Sequence, residues 1–254
     1  MALSDPKLRA VFRDVHSSLP REGPGNREST ERALALAAPV PPFAQVLDLA
    51  CGPGAQTIDL ATLLPQATIC AIDAHQPFVE ETNRRAAALG VNDRVRALRG
   101  DMRSLPFPPS SFDLIWCEGA AYIIGVERAL RSWRPLLRPG GRLALTEAIW
   151  LRPDAPEDIR RCWSHDYPGM GGAARCRDLV RDCGYRLLGD FVLPDAAWWE
   201  YYTPMEARLH LLASKYAGDL AAEPVLRESA NEIASYRNNG TYYGYLFMVM
   251  VATP

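Results

Sequence analysis

The sequence predicts an α/β protein with a doubly wound, mostly parallel sheet. Apolar segments of strand length alternate with amphipathic helical segments along most of the 254 residues, the pattern of a parallel sheet covered by helices on both faces. One segment, Phe112–Cys117, is predominantly apolar, as a central parallel strand should be. A loop at residues 50–54 joins the first strand directly to a helix. Glycine-containing loops of this kind bind nucleotide-like ligands at the edge of such sheets.

Seven strands are predicted from short apolar runs bounded by turn residues. They lie at residues 45–49, 68–72, 95–98, 112–117, 142–149, 185–193 and 243–251. Apolar positions at helical spacing predict helices at residues 57–64 and 77–89, from residue 126, and at residues 177–183. The second helix shows both boundary signals, because Pro77 stands in its first turn and Gly90 follows its last residue.

Three segments lie outside this alternation. Residues 1–43 are predicted to form an N-terminal helical cap, with helices at residues 12–19 and from Ser29, where a capping residue stands. Residues 150–175 are predicted to be a loop with short helical pieces, and residues 194–240 an insertion with two amphipathic helices. The expected apolar faces of these two helices are Met205, Leu209, Leu212 and Tyr216, and Leu226, Ala230, Ile233 and Arg237. The two insertions would form a lid on a single domain, residues 1–254.

The composition is that of an ordinary globular protein, with 48% hydrophobic residues, 23% charged residues and a formal net charge of −2. No block of basic residues stands out, so nucleic acid is not expected as a partner. Residues 1–6 do not resemble a signal peptide, and the longest apolar run, residues 242–252, is too short to cross a bilayer. None of the six cysteines forms a Cys-x-x-Cys pair. We therefore expect a cytoplasmic, reduced protein without a membrane contact, disulfides or a metal site.

The loop after the first strand has the residues of a nucleotide-binding turn. Gly52 and Gly54 bring backbone N–H groups to the edge of the sheet. Asp73 and Asp101 follow the next two strands, and a carboxylate after the second strand can accept both hydroxyls of a ribose. A dinucleotide site is the alternative, but it needs a third small residue for close packing of helix on strand, and Thr57 occupies that position.

These residues carry a resemblance to a known family. The run from Asp48 to Gly54, then Asp73, Asp101 and the Pro139-Gly140-Gly141 turn resemble, in order, the motifs of class I S-adenosylmethionine (SAM)-dependent methyltransferases. Residues 118–125 and 242–245 resemble a bacterial subgroup of small-molecule methyltransferases. The resemblance implies a Rossmann-like seven-stranded fold with an antiparallel last strand. It also implies SAM as the cofactor and S-adenosylhomocysteine as its product.

The resemblance further implies a role for each matching residue. The backbone of the glycine loop would approach the methionine part of SAM, and Asp73 would bind the ribose. Asp101 would accept a hydrogen bond from the adenine amino group, and Met102 would pack on the adenine ring. Arg21, in a loop that lies over the cofactor in the subgroup, is expected to pair with the SAM carboxylate, although a plain connector is the alternative. Glu118, at the end of the fourth strand, would hold the SAM amino group or bind a substrate. The expected cofactor-binding residues are Arg21, Ala50, Gly52, Gly54, Gln56, Thr57, Asp73, Asp101, Met102 and Glu118.

The acceptor side is predicted from the aromatic residues near and within the insertions. They can form the wall of a pocket, or they can fill a small core under the lid. The candidates for substrate contact are Tyr122, Trp150, Tyr167, Trp198, Trp199 and Tyr202. Methyl transfer from a sulfonium requires alignment and exclusion of water and no protein nucleophile, so no catalytic residue is assigned. Glu118 and His165 are candidates, and His16 is the other histidine expected near the site.

The expected function is methyl transfer from SAM to a small-molecule acceptor, and a homodimer is allowed. Three alternatives are methylation of a protein or nucleic acid, arsenic methylation, and SAM or nucleotide binding in a regulatory module without catalysis. The first would commonly show an Asn/Asp-Pro-Pro-Tyr motif after the fourth strand, where this chain has residues 117–120. The spacing of Cys162, Cys176 and Cys183 gives no support to the second.

Overall fold

The computed structural model describes residues 5–253, with the side chain of Asp166 excepted. The strands are β1 (Gln45–Leu49), β2 (Thr68–Asp73), β3 (Val95–Arg99), β4 (Phe112–Cys117), β5 (Leu137–Trp150), β6 (Gly171–Gly172), β7 (Tyr185–Val192) and β8 (Tyr243–Ala252). Residues 1–4 and 254 lie outside the described part. The domain limits at residues 1 and 254 and most of the segment used for the signal-peptide expectation, residues 1–6, therefore fall on undescribed residues.

The α-helices of the described residues surround this sheet. They are α1 (Pro6–His16), α2 (Arg27–Ala37), α3 (Ala55–Leu63), α4 (Gln76–Ala88), α5 (Val126–Trp133), α6 (Glu157–Asp166), α7 (Ala173–Asp182), α8 (Asp195–Lys215) and α9 (Glu223–Asn239). Short 3-10 helices at Ala121–Ile123 and Arg134–Leu136 flank α5.

The sheet confirms the predicted Rossmann-like fold. Its long strands run in the order β3-β2-β1-β4-β5-β8-β7. The first five strands are parallel to their neighbours, and β8 lies antiparallel between β5 and β7. The two-residue strand β6, which was not predicted, pairs with the end of β5. The carboxyl ends of β1, β2, β4 and β5 therefore share one edge of the sheet.

Two apolar layers cover the two faces of the sheet. On one face, α5 and α7 contribute residues such as Trp133 and Val180 to a core with Leu145 of β5. On the other face, Ala33 of α2 and Leu60 of α3 pack with Trp116 and Phe247. Because residues in a strand alternate between faces, this division determines which side of the sheet each residue of the site occupies.

A third apolar cluster joins α1, α8 and α9 above the sheet edge. Trp198 and Tyr236 stack with their ring centroids 4.2 Å apart and their planes inclined by 9°. Val15, Met205 and Ile233 are buried in the same cluster. The N-terminal cap and the long insertion thus pack together as one helical layer.

Several local predictions were wrong. The side chain of Asn26, rather than one at residues 29–31, caps α2, since its Oδ1 accepts from the Ser29 N–H at 2.9 Å. The segment at residues 150–175 contains the ten-residue helix α6. α1 begins at Pro6, where Asp5 caps it.

The predicted apolar face of α9 was also wrong. Its buried residues are Val225, Ser229, Ile233 and Tyr236. Only Ile233 belongs to both this set and the predicted face. Tyr236 replaces Arg237 at the contact because its ring stacks on Trp198. Packing against α8 therefore determined the orientation of the helix.

Candidate active site

The glycine loop between β1 and α3 has left-handed backbone at three positions. Ala50, Gly52 and Gly54 have φ angles of 54°, 55° and 91°. A Cβ on Gly54 would lie 2.6 Å from the hydroxyl of Thr82, which itself donates to the Gly52 carbonyl at 3.0 Å. Gly54 is thus required both by its conformation and by the close approach of α4.

Asp73 connects the end of β2 to this loop. Its Oδ2 accepts from the Gly52 N–H at 2.9 Å, and its Oδ1 accepts from the His75 N–H at 2.8 Å. Each carboxylate oxygen can accept more than one hydrogen bond. The side chain is therefore fixed in place, and acceptor capacity remains for a ligand at the sheet edge.

Asp48 lies below the loop and is completely buried. Its Oδ2 accepts from Thr57 Oγ1 at 2.5 Å, and its Oδ1 accepts from Gln56 Nε2 at 3.4 Å. Burial raises the pKa of Asp48 to about 7, and the hydrogen bond from Thr57 opposes that rise. Thr57 and Gln56, which were expected to contact the cofactor, direct their side chains to Asp48 and thereby support the loop from within.

Arg21 and Glu118 form a buried ion pair at the end of β4. Arg21 Nη2 lies 2.7 Å from Glu118 Oε2, and their side chains are 6% and 5% exposed. The Trp116 indole N–H donates to Glu118 Oε1 at 2.8 Å, and Arg21 Nε donates to the Gly23 carbonyl at 2.6 Å. This ion pair holds Arg21 next to the carboxyl end of β4, and its role toward the cofactor stays a prediction.

Two residues of the N-terminal cap, His16 and Glu22, form a pair, of which sequence reasoning identified only His16. His16 Nδ1 lies 2.6 Å from Glu22 Oε2, and a Cβ on Gly52 would be 3.5 Å from Glu22 Cγ. Burial raises the pKa of Glu22, and the hydrogen bond with His16 opposes that rise. His16 was noted as a base, whereas Glu22 was missed because only tertiary folding brings it over the glycine loop.

Asp101 and Met102 follow β3, at the side of the sheet that faces α5. Arg103 Nη2 lies 2.8 Å from Asp101 Oδ2, and hydrogen bonds from Arg103 lower the pKa of Asp101. The Trp133 indole N–H donates to the Met102 carbonyl at 3.2 Å. This contact ties the loop after β3 to α5.

The six aromatic candidates for substrate contact occupy two environments. Trp198 and Tyr202 are buried in the helical cluster, each 3% exposed, so the core interpretation applies to them in this conformation. Trp199 is half-buried under the Arg237 guanidinium, and Trp150 lies under that of Arg160.

The other two aromatic candidates lie near each other. The rings of Tyr122 and Tyr167 have centroids 5.7 Å apart. Tyr167 also lines a cavity of about 720 Å³ between α5 and α7. His165, the catalytic candidate on α6, is exposed and is not among the residues that line this cavity.

Sequence reasoning missed Glu147, which also lines this cavity. It lies on β5 and is 2% exposed. Within the part of the chain that the structure describes, neither carboxylate oxygen makes a hydrogen bond. An acidic residue in the apolar run at residues 143–149 was the available signal, because a charged residue is rarely placed in a buried strand without a partner.

Residues 5–253 contain neither a membrane-spanning helix nor a metal-binding cluster of side chains. No helix among them is long and apolar enough to cross a membrane. No group of three or more His, Cys, Asp or Glu side chains there is placed to hold a metal ion. The six cysteines are free thiols.

Part of the chain is similar to known proteins. Residues 46–141 match the model of a methyltransferase domain. The chain is 35% identical over 106 residues to the 27-O-demethylrifamycin SV methyltransferase of Amycolatopsis mediterranei, covering 41% of this chain and 39% of that protein. It is 34% identical over 121 residues to the trans-aconitate 2-methyltransferase of Deinococcus radiodurans, covering 47% and 43%. The chain thus spans about two fifths of the length of these curated relatives.

Solved structures resemble the whole chain. A SAM-dependent methyltransferase from Geobacter sulfurreducens, crystallised with S-adenosylhomocysteine, has a TM-score of 0.83 at 23% identity and covers 96% of this chain and 98% of its own. One from Thiobacillus denitrificans, also with S-adenosylhomocysteine, has a TM-score of 0.83 at 24% identity, covering 95% and 98%. These similarities show the fold, and the family match covers the glycine loop and both following aspartates. Residues 46–141 thus match a methyltransferase domain, and the chain as a whole has the fold of these SAM-dependent methyltransferases.

Proposed function

We propose that this protein transfers a methyl group from SAM to a small-molecule acceptor. The observation that supports this most directly is the Gly52–Asp73 hydrogen bond beside the Arg21–Glu118 ion pair. Together they put a ribose acceptor and a pair of opposite charges at one edge of the sheet. SAM has a ribose in its middle and a zwitterionic amino acid at one end, so its polar groups match this arrangement.

In this proposal, Asp73 accepts hydrogen bonds from the ribose hydroxyls, as a carboxylate after the second strand does in related nucleotide sites. The backbone of Ala50, Gly52 and Gly54 lies along the methionine part of SAM. Gln56 and Thr57 support that backbone through Asp48 and act without direct side-chain contact.

Arg21 and Glu118 would bind the amino-acid end of SAM. A guanidinium pairs with a carboxylate through parallel hydrogen bonds, and a carboxylate pairs with an ammonium group. The existing ion pair keeps both charges compensated before SAM binds, which avoids a buried isolated charge. Asp101 and Met102 would contact the adenine, and Asp101 would exchange part of its pairing with Arg103 for the adenine amino group.

Two observations support the proposal of a small-molecule acceptor. Relatives that match part of this chain are named for demethylrifamycin, trans-aconitate and ubiquinone/menaquinone biosynthesis. The formal net charge of −2 gives no basic surface for nucleic acid. A cytoplasmic location and a homodimer remain proposals, as does the lid formed by the insertions at residues 150–175 and 194–240.

Calorimetry with S-adenosylhomocysteine tests the cofactor site. Asp73→Ala should weaken binding at least about tenfold, or roughly 1.4 kcal/mol, because the ribose loses its acceptor. Asp93→Ala, which changes an exposed aspartate just before β3, is the matched control and should bind normally. Unchanged affinity of the Asp73 variant would exclude the ribose assignment.

Turnover of SAM to S-adenosylhomocysteine with a panel of metabolites tests the activity. A metabolite that accelerates turnover in the wild type should give almost no acceleration in the Asp73 variant when the SAM concentration is far below the dissociation constant of that variant for SAM. Binding of S-adenosylhomocysteine without turnover on any metabolite, protein or nucleic acid would favour the regulatory module instead.

A further inference from the structure

The cavity between α5 and α7 has the size of a small-molecule site. Its volume of about 720 Å³ falls within the range of ligand-binding clefts. The N-terminus of α5, the end of β5 and the loop after α6 contribute to its lining. Its position does not overlap the glycine loop, Asp73 or the Arg21–Glu118 pair, none of which lines it.

Glu147 provides an unused polar group at the inner end of this cavity. Its carboxylate oxygens are buried without a hydrogen bond from any residue in the described ranges. Burial raises the pKa of Glu147 to about 7, and the nearby Tyr167 hydroxyl opposes that rise. A buried carboxylate without a partner is unfavourable unless a bound molecule supplies one.

Strand pairing puts Glu147 close to the end of β4, where the methyl group is expected. Cys117 of β4 is in register with Leu145 of β5. The Gly119 N–H donates to Thr146 Oγ1 at 2.7 Å. Glu147 follows Thr146 directly, on the face of the sheet that α5 and α7 cover. The cavity therefore lies beside the cofactor edge and not at a remote surface.

The outer part of the cavity is lined by cations. Arg128 and Arg175 are exposed there. Arg131 also lines it, although its Nη2 lies 3.0 Å from Glu127 Oε1. A molecule that extends from Glu147 to this rim would meet a hydrogen-bond acceptor at one end and guanidinium groups at the other.

We propose that this cavity is the acceptor site of the methyltransferase and that Glu147 binds the proton-bearing nitrogen or oxygen of the acceptor. The acceptor also carries an anionic group, which the arginines at the rim bind. This inference rests on the proposed function, because it assigns the substrate class of the same reaction.

The reaction balances without a further reactant. The acceptor nitrogen or oxygen supplies an electron pair that forms the new bond to the methyl carbon, while the S–CH₃ bond breaks and its electrons remain on sulfur. The acceptor proton passes to the Glu147 carboxylate and then to solvent. Glu147 thus orients the nucleophile and removes its proton.

Binding of three probes to the complex with S-adenosylhomocysteine tests the inference by calorimetry. The probes are 4-hydroxybenzoate, 4-(aminomethyl)benzoate and benzoate, which share the anionic group and differ in the donor. The first two should bind wild-type protein at least about tenfold more tightly than benzoate, because each gives Glu147 a hydrogen bond to a charged group.

Two variants then separate nitrogen from oxygen acceptors. Glu147→Gln removes the charge and should abolish the advantage of the amine probe, whereas Glu147→Leu removes the acceptor and should abolish the advantage of both donors. Glu157→Gln, at an exposed position of α6 outside the cavity lining, should preserve both advantages. All four proteins should bind S-adenosylhomocysteine equally, which also shows that the variants fold.

Three results would overturn the inference. They are equal binding of benzoate and the donor probes to the wild type, an undiminished preference in both Glu147 variants, or no binding of any probe at millimolar concentration. Any of these, with normal binding of S-adenosylhomocysteine, would leave the proposed function standing. Failure of wild-type protein to bind S-adenosylhomocysteine would instead overturn both.

Discussion

At the residue scale, three carboxylates near the sheet edge differ mainly in what hydrogen-bonds to them. Asp73 accepts from two backbone N–H groups, Asp48 from two side chains, and Glu147 from no described residue. Only Asp73 has both a fixed position and partial exposure. This difference in environment makes Asp73 available to a ligand and makes Asp48 a structural support. Asp73 is the last residue of β2, whereas Asp48 lies inside β1.

The Asp48–Thr57 hydrogen bond gives a testable stability difference. Thr57→Val should lower the free energy of unfolding by about 1–3 kcal/mol, because a buried acceptor loses its donor while the side-chain volume is preserved. Chemical denaturation measures this loss. Thr62→Val, at an exposed position of α3, is the control and should change stability by less. A Thr57 variant as stable as the wild type would contradict the supporting role of Asp48.

Gly25 gives a second prediction at this scale. A Cβ there would lie 2.0 Å from Arg21 Nη2 and 2.6 Å from Glu118 Oε2. Gly25→Ala should therefore displace the ion pair and weaken binding of S-adenosylhomocysteine by about tenfold or more. Gly23→Ala, where a Cβ meets nothing within 4 Å, should bind nearly normally in the same calorimetric assay. Equal effects of the two substitutions would exclude the requirement for close approach.

At the element scale, β8 and α8 join the insertion to the sheet. β8 lies between β5 and β7 with nine residues of β5 in register, and residues from Leu246 to Met250 are almost completely buried. α8 buries Trp198, Tyr202 and Met205 on its inner side. The insertion at residues 194–240 is thus continuous with the core, and changes on the inner side of α8 should affect folding before they affect substrate contact.

Neighbouring tryptophans of α8 test that expectation. Trp198→Ala should cost about 3–5 kcal/mol of unfolding free energy, because it removes a buried ring that stacks on Tyr236. Trp199→Ala should cost clearly less, because Trp199 is half-buried and stacks with Arg237 at the surface. Thermal and chemical denaturation measure both. Similar losses for the two variants would show that the inner side of α8 is not the stabilising one.

At the scale of the whole molecule, burial raises the pKa of several acids. The pKa of Asp48 and that of Glu147 rise to about 7, and the pKa of Asp59 rises to about 6. In the unfolded chain these groups lose their protons near pH 4. Between that pH and the folded pKa, the native state binds more protons than the unfolded state, so stability falls as pH rises. At about pH 8 and above, the loss is nearly complete, because the native carboxyl groups have then lost their protons too.

We therefore expect unfolding by urea to require more denaturant near pH 5 than at pH 8. Glu147→Gln removes one of the raised pKa values, so it should reduce this difference by an amount on the order of 1–3 kcal/mol. The nearby hydroxyl of Tyr167, which opposes the rise in the pKa of Glu147, remains in the variant. The exposed Glu157→Gln variant should retain the wild-type pH dependence. An unchanged pH dependence in the Glu147 variant would show that ionisation of Glu147 in the folded protein does not lower its stability.

Local sequence signals predicted the parts of the fold that depend on neighbours along the chain. The limits of β1 and β4 agree with the predicted strands, and α3 and α4 differ from their predictions by one or two residues. The prediction failed where distant packing decides, as on α9, whose buried face depends on α8. It gave only short helical pieces within residues 150–175, because the prolines and glycines there masked the extent of the ten-residue helix that begins at Glu157.

The sequence by itself determined the order of strands and helices and the chemistry of the glycine loop, because these depend on residue type and on spacing along a few neighbouring positions. Only the tertiary structure decided that Arg21 meets Glu118 across 97 positions of sequence, that Glu22 covers Gly52, and that Glu147 is buried without a partner. Such contacts depend on the packing of elements far apart in the chain, and no local pattern encodes the distance between their side chains.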